Sequence, residues 1–508
     1  MSGPATRATG TAPAQIVFSI EPADLLTPVA AFLKLTGRLP GARRNAFLLE
    51  SIEGGAARGR YSVIGLLPDV VWRCNQGRVA IRRGSGGSAQ REGGFAETGE
   101  PPLASLRALI DGNRLALPEG LPPMTAGLFG YLGYDMVRQM EHLPDAPPDD
   151  LALPEAVLLR PSLFAIFDNV RDELTLAAPL RDGAPPAQGE ALLERARVAL
   201  ALPVPQASDA GPPVSGEETV APEPSSNFTR AAFEDVVRRI QEYIAAGDVF
   251  QAVPSQRFSA SFALPAIALY RALRRINPSP FLFLLDLEGF SLVGSSPEVL
   301  VRLRDDTVTV RPLAGTRGRG ATPTEDRDLA AELLADPKER AEHLMLLDLG
   351  RNDVGRVAEI GSVRVTESFA IERFSHVMHI SSTVQGRLRP GLDALDALVA
   401  GFPAGTLTGA PKIRAMQIID EMEPTRRGPY AGCIGYFGAD GTMDTCIGLR
   451  MAVLHEGVMH VQAGCGVVAD SVPAAEYEET RQKARALLRA AENALGLTGP
   501  NTTTTLVS

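Results

Sequence analysis

The sequence predicts an α+β fold built on large, mostly antiparallel sheets, and three observations predict it. Near the C-terminal end Asp440-Gly441 separates a strand ending near Phe437 from one running Met443 to Leu454, and Glu456-Gly457 separates that strand from Val458 to Val468. Consecutive hairpins make antiparallel neighbours, which disfavours a doubly wound nucleotide fold. Helical periodicity is confined to separate segments: Phe233, Val236, Val237, Ile240, Tyr243 and Ile244 recur at the spacing of one buried face. Finally, a chain of 508 residues with 45% hydrophobic and 22% charged residues has the composition of a globular protein able to bury a sizeable core.

Taken in order, Met1 to Pro13 are small, polar and proline-containing and read as a disordered lead, without the apolar region of a signal peptide. Residues 16–182 form a first domain, in which short β-like runs such as Arg60 to Gly65 alternate with glycine-rich turns. Within it, Arg82 to Gly99 reads as a loop or irregular hairpin. Residues 183–227 are rich in proline and small side chains and read as a linker around one short helix, Glu190 to Leu200. Residues 228–497 form a second, more regular domain, whose first helix has Thr229 to cap its start and Gly247 to end it. No internal repeat is visible.

Lysine and arginine total 50 against 60 acidic residues, a net charge of −10. That balance argues against nucleic acid as a partner, and any acidic substrate needs a local positive site. No apolar run approaches the ~20 residues of a membrane span. Four scattered cysteines with no C-x-x-C pair argue against a disulfide scaffold or zinc ribbon and fit the cytoplasm.

Several residues can carry chemistry. Asp336-Pro337-Lys338-Glu339 has the form of a capped helix start, with Glu339 and Glu342 on one face. Pro473 opens another helix, with Glu476, Glu479 and Lys483 on one face and Ala484, Leu487, Leu488 and Ala491 on an apolar side. Each glutamate pair is either solvated or, if the two faces meet, half of an oxygen-rich pocket suited to Mg²⁺. His376 and His379 are either structural or catalytic, and the H-E-x-x-H zinc pattern is absent. The loop around Thr406 resembles a phosphate cradle without P-loop spacing. Gly464-Cys465-Gly466 permits close backbone approach to a ligand, or is a strand bulge. Arg450, mid-strand on the side of Asp444 and Cys446, is either paired or binds an anion. These residues alone imply a metal-assisted enzyme acting on a small anion.

In combination they go further. Gly247-Asp248-Val249-Phe250-Gln251, Ser295-Ser296-Pro297-Glu298, Arg311-Pro312-Leu313-Ala314-Gly315-Thr316-Arg317, the run Glu342 to Asp353, the Thr406 loop and the C-terminal glutamate helix occur in the order seen in chorismate-utilising enzymes. Phe228 to about Leu488 resembles their chorismate-binding domain. The front stretch, with Leu48-Leu49-Glu50-Ser51 and Arg60-Tyr61-Ser62, looks like the N-terminal domain of the anthranilate synthase component I family. The resemblance implies an α/β/β/α layered fold with large, mostly antiparallel sheets.

It also implies an activity. Isochorismate and salicylate synthases carry a lysine base where this chain has Gln251, and aminodeoxychorismate synthases typically carry an attacking lysine where it has Ala314. Enzymes that stop at the amino intermediate replace the histidine matching His379. Anthranilate formation from chorismate and ammonia remains, with aminodeoxychorismate synthase component I as the alternative. By resemblance Glu298 is the general acid and His379 assists proton removal, with Thr406 completing the catalytic set. Gln251, Ala314, Gly315, Thr316, Tyr430, Arg450, Gly464, Gly466 and Lys483 surround the substrate. Glu342 and Glu479, with Glu339 and Glu476 behind, hold Mg²⁺. No cysteine lies in the Gly-x-Cys-x-Gly elbow of a class I amidotransferase, so a separate glutaminase subunit is expected as partner in a hetero-oligomer. Tryptophan inhibition is expected at Glu50, Ser51, Asn277, Pro278, Ser279, Pro280, Phe281, Leu282 and Cys446, where Phe281-Leu282 departs from the frequent Tyr-Met. Cys465 stands where alanine is common.

Overall fold

The computed structural model describes residues 15–53, 57–84, 94–181, 183–205, 224–374 and 377–496. Their hydrophobic clusters define the architecture. Alternate residues of one strand point to opposite faces, and here neighbours part company: Phe47, Val63 and Phe283 enter a core made almost wholly of strand residues, with Phe129, Phe164, Ile434 and Val453. Leu48, Ile64 and Leu284 enter a different core, under helices Pro28–Arg38, Pro186–Ala201, Ala266–Ile276 and Pro473–Gly496. A third core packs Trp72, Leu128, Leu300 and Met443 beneath helices Pro102–Asp111 and Ala394–Gly401. Sheet therefore packs on sheet, with helices outside both: the expected α/β/β/α layering, with antiparallel pairing throughout.

The front and rear stretches share these sheets. Strand Ala46–Glu53 pairs with Phe281–Leu287, and Gly127–Leu132 pairs with Cys433–Gly438. The long strand Ala57–Asn75 runs beside Ala156–Asp168, with a shift in register at Pro68 to Val70. Before that shift its Leu66 lies in the second core, and after it Trp72 lies in the third.

Several sequence expectations are met at their caps. The helix Arg230–Ala246 begins with the Thr229 hydroxyl accepting from Ala232 N–H and ends at Gly247 in the left-handed region. The helix Pro337–Gly355 begins with Asp336 accepting from the N–H groups of Lys338 and Glu339. Asp440-Gly441 joins Cys433–Gly438 to Met443–Ile447, and Glu456-Gly457 joins Met451–His455 to Val458–Gly464.

Others need correction. The helix expected over Glu190 to Leu200 runs Pro186–Ala201 and buries Leu193, Ala196, Ala199 and Leu200 against the sheet. The strand expected to run from Met443 to Leu454 is two strands, because its halves pair with different partners: Met443–Ile447 with Val299–Arg304, and Met451–His455 with Phe290–Ser296. Arg450 is thus not mid-strand; it sits in the break at φ 50°. The strand expected to reach Val468 ends at Gly464. Residues 85–93, within the expected hairpin, and His376 lie outside the described residues.

Candidate active site

The break at Gly448 to Arg450 lies opposite a second break, Pro297-Glu298, between the two partner strands. Ser295 N–H donates to the Arg450 carbonyl at 3.1 Å, and Ile447 N–H donates to the Glu298 carbonyl at 3.1 Å. Two adjacent strands therefore open at the same level, and the gap places Glu298 and Arg450.

Glu298 is buried, and no cation pairs with it among the described residues. Its carboxylate accepts from the Thr406 hydroxyl at 3.2 Å and from Leu313 N–H at 3.4 Å. Burial outweighs these hydrogen bonds, and with the negative charge of Glu372 nearby it pushes the carboxyl up to about 8. Glu298 is therefore an acid that holds its proton at neutral pH. It lines a cavity of about 30 Å³ with Thr406 and Asp353, room for a water molecule.

His379, on strand Val377–Arg387, is buried, and burial pushes its pKa down to about 4. Its Nδ1 lies 2.8 Å from the Gly315 carbonyl and 3.1 Å from the Thr316 hydroxyl. A carbonyl only accepts, so Nδ1 carries the hydrogen and Nε2 presents a lone pair. His379 is thus a neutral base with a fixed tautomer. Gly315, at φ 69°, touches the next group: an added Cβ would lie 3.0 Å from Glu339 Oε2.

The glutamate faces of helices Pro337–Gly355 and Pro473–Gly496 come within electrostatic reach, since the charges of Glu479 and Lys483 act on Glu342. Gln251 Nε2 donates to Glu342 Oε1 at 3.2 Å, and an added Cβ on Gly466 would lie 2.6 Å from that amide nitrogen. Burial, with the charges of Glu339 and Glu479, raises the Glu342 pKa, and burial likewise raises that of Glu476. Glu339 is bound by Arg317 at 3.0 Å and Glu479 by Lys483 at 2.7 Å. Among the described residues no group of three or more His, Cys, Asp or Glu stands close enough to share an ion. The carboxylates do not converge on one point, but their oxygen donors suit a hard divalent cation, because added positive charge favours the ionised form of Glu342 that burial disfavours.

A positive pole lies beside them. Lys483 Nζ donates to the Gly464 carbonyl at 2.9 Å. An added Cβ on Gly464 would lie 2.7 Å from the Pro254 carbonyl and 3.1 Å from the Tyr430 hydroxyl, which explains glycine there. Arg450 feels the charges of Tyr430 and Glu479, and burial lowers its pKa. No carboxylate pairs with it among the described residues. Ala314, buried on strand Leu313–Gly318, presents only a methyl group.

The residues expected to take an inhibitor divide. Glu50, Ser51, Pro280, Phe281, Leu282 and Cys446 line one cavity of about 630 Å³. Asn277, Pro278 and Ser279 do not line it. Instead the Ser295 hydroxyl donates to the Asn277 carbonyl at 2.5 Å and the Ser279 hydroxyl to the Ser296 carbonyl at 2.8 Å, pinning the adjoining turn.

Residues 71–489 match the chorismate binding enzyme family. The chain belongs to that family. It is an enzyme of the family that acts on chorismate. It is 55% identical to anthranilate synthase component 1 of Cereibacter sphaeroides, over 94% of this chain and 95% of that protein. It is 47% identical to the Thermus thermophilus protein of the same name, over 93% and 96%. Among solved structures, anthranilate synthase component I of Streptococcus pneumoniae superposes with a TM-score of 0.74 at 34% identity, covering 85% of this chain and 92% of that one. The menaquinone-specific isochorismate synthase of Escherichia coli superposes with a TM-score of 0.69 at 20% identity, covering 94% and 95%, and shares the fold. No helix among the described residues is long and apolar enough to cross a membrane.

Sequence reasoning missed the polar scaffold behind the pocket. Lys412 Nζ binds Asp353 at 2.9 Å, Arg311 binds Glu372 at 3.1 Å, and Glu423 and Arg427 form a buried pair at 2.6 Å. Only the last pair had a sequence signal, its four-residue spacing, and it straddles the end of a helix where that spacing carries little weight.

Proposed function

We propose that this chain is the chorismate-converting component I of an anthranilate synthase, forming anthranilate, pyruvate and water from chorismate and ammonia for tryptophan biosynthesis. The observation that carries the reading is one strand, Leu313–Gly318, bonded at the Leu313 N–H to an acid that keeps its proton, Glu298, and at the Gly315 carbonyl to a base that stays neutral, His379. Ammonia adds to the ring carbon beside the carboxylate as the distant hydroxyl leaves. Glu298 supplies the proton that turns that hydroxyl into water, with Thr406 stabilising the carboxylate left behind. Loss of the enolpyruvyl group as pyruvate then aromatises the ring, and His379 Nε2 takes the ring proton. Gln251 and Ala314 favour ammonia as nucleophile, because an amide and a methyl group neither activate water nor attack the ring.

Arg450 and Lys483, with Tyr430, Gly464 and Gly466, bind the enolpyruvyl carboxylate. Glu342 and Glu479, with Glu339 and Glu476 close behind, would hold Mg²⁺, which would supply positive charge for the ring carboxylate. Ammonia comes from a glutamine amidotransferase subunit, since all four cysteines of this chain are buried and free. Free thiols support the cytoplasm as the compartment. The 630 Å³ cavity takes L-tryptophan as a feedback inhibitor; its volume accommodates an indole, and its six expected residues converge on it.

The test supplies the pure chain with chorismate, Mg²⁺ and ammonium salts and follows anthranilate fluorescence. Anthranilate from ammonium but not from glutamine is expected, with the signal fading when tryptophan is added. A non-aromatic amine as the end product, or turnover with glutamine, contradicts the reading.

A further inference from the structure

Helix Lys412–Met422 ends at Glu423, and the chain returns through Pro424 to Arg427. The two side chains meet in the interior, 1% and 2% exposed. Arg427 Nε and one terminal nitrogen donate to the Glu423 carboxylate at 2.9 and 2.6 Å. Its remaining bonds go to backbone: one to the Leu407 carbonyl at 2.7 Å and one to the Val253 carbonyl at 2.7 Å. The guanidinium also lies 4.8 Å from the Tyr134 ring and 5.6 Å from the Tyr430 ring. Glu423 in turn accepts from the N–H and hydroxyl of Ser255, at 2.8 and 2.7 Å, and Ser255 is the register partner of Gly464.

A buried ion pair is a poor source of stability, because desolvation cancels most of the attraction and apolar side chains of similar size serve as well. What an apolar pair cannot do is fix backbone carbonyls in direction. The carbonyls chosen here lie one residue after Thr406 and two after Gln251. Those segments are already zipped together by Phe250 N–H to the Ala410 carbonyl and Val253 N–H to the Thr408 carbonyl. The planar fork of an arginine adds the third point, which a lysine cannot reproduce.

We propose that Arg427, locked by Glu423, is a positioning residue that sets the Thr406 loop against Glu298 and, through the same guanidinium, the Gln251 arm and the Tyr430 ring. The proposal rests on the functional reading above for its catalytic consequence. Its structural consequence is independent of that reading.

Arg427→Lys keeps a cation opposite Glu423, so the fold is retained, but one ammonium cannot hold two carbonyls and a carboxylate in the fork geometry. The expected result is a cooperative thermal transition close to wild type with kcat lower by on the order of 100-fold. Amide exchange should accelerate at Val253 and Thr408 but not in the distant strand Glu173–Leu180. The double variant with Thr406→Val should lose no more than the worse single variant, because both act on one element. Full activity in Arg427→Lys, additive losses in the double variant, or exchange accelerated equally everywhere overturns the proposal. If the wild-type chain itself makes no anthranilate, the functional reading falls, and the exchange pattern still decides the positioning: local acceleration upholds it and uniform acceleration overturns it.

Discussion

Two glutamates in this molecule are almost equally buried, Glu50 at 6% and Glu298 at 7% exposure, yet they sit in opposite surroundings. Glu50 meets the Arg274 guanidinium at 2.7 Å and the Tyr270 hydroxyl at 2.5 Å, at the edge of the larger cavity. Glu298 has one hydroxyl, one amide and, among the described residues, no cation, and it lines the small cavity with Thr406 and Asp353. The difference teaches that burial alone marks neither site. A buried carboxylate with a cation is a fixed charge that holds structure or ligand, whereas one without a cation keeps its proton and becomes an acid.

The largest test of that contrast is Glu298→Gln, which keeps the shape and removes the proton. Turnover should fall on the order of 1,000-fold while Mg²⁺-dependent chorismate binding, measured by calorimetry, persists; near-normal turnover would sink the assignment. At the other glutamate, Glu50→Ala strands Arg274 without its partner. Denaturant unfolding should show a loss of about 3 kcal/mol, and tryptophan should no longer inhibit. If stability and inhibition are both unchanged, Glu50 does not do what its contacts indicate.

Stability should also follow pH in a direction that the unpaired acid dictates. The Glu298 carboxyl lies at about 8 when folded against an ordinary 4.5. Its raised value favours the folded state below pH 4.5, and that contribution is lost as pH rises towards 8 at about 1.4 kcal/mol per unit. Glu298→Gln has no such loss, so its unfolding free energy should gain on wild type by a few kcal/mol between those limits. A constant difference across that range contradicts the buried acid. The smallest effect belongs to Thr406→Val. Its hydroxyl stabilises the ionised carboxylate, so removing it should raise the Glu298 pKa, move the alkaline limb of kcat upward and slow turnover about tenfold.

Much of this was legible in the sequence wherever local chemistry decides. Thr229 and Gly247 bound a helix because cap and terminator act on their own turn, and Asp440-Gly441 makes a hairpin for the same reason. The candidate site residues were legible as motifs, and the gap that places Glu298 and Arg450 was not. Residues 443–454 read as one continuous strand, but partners more than a hundred residues away split it, and no local signal at Leu449 or Arg450 announces the break. The helix Pro186–Ala201 was underestimated because its first turn is proline and small residues, and packing on strands Gln15–Pro22 and Glu173–Leu180 stabilises what propensity alone does not. The hold of Arg427 on the Thr406 loop was not legible, because there its partners, Leu407 and Val253, are backbone carbonyls that any residue provides.

The central claim is that Glu298 works as a protonated acid while His379 stays a neutral base. The most direct measurement is the pH dependence of kcat for anthranilate formation from chorismate, with rates referred to free ammonia. The expected profile is level through neutrality and falls about tenfold per unit above pH of about 8, as Glu298 loses its proton. Glu298→Gln should retain a small rate without that limb. A wild-type profile that stays level well above 8, or a limb that survives in Glu298→Gln, would contradict the account.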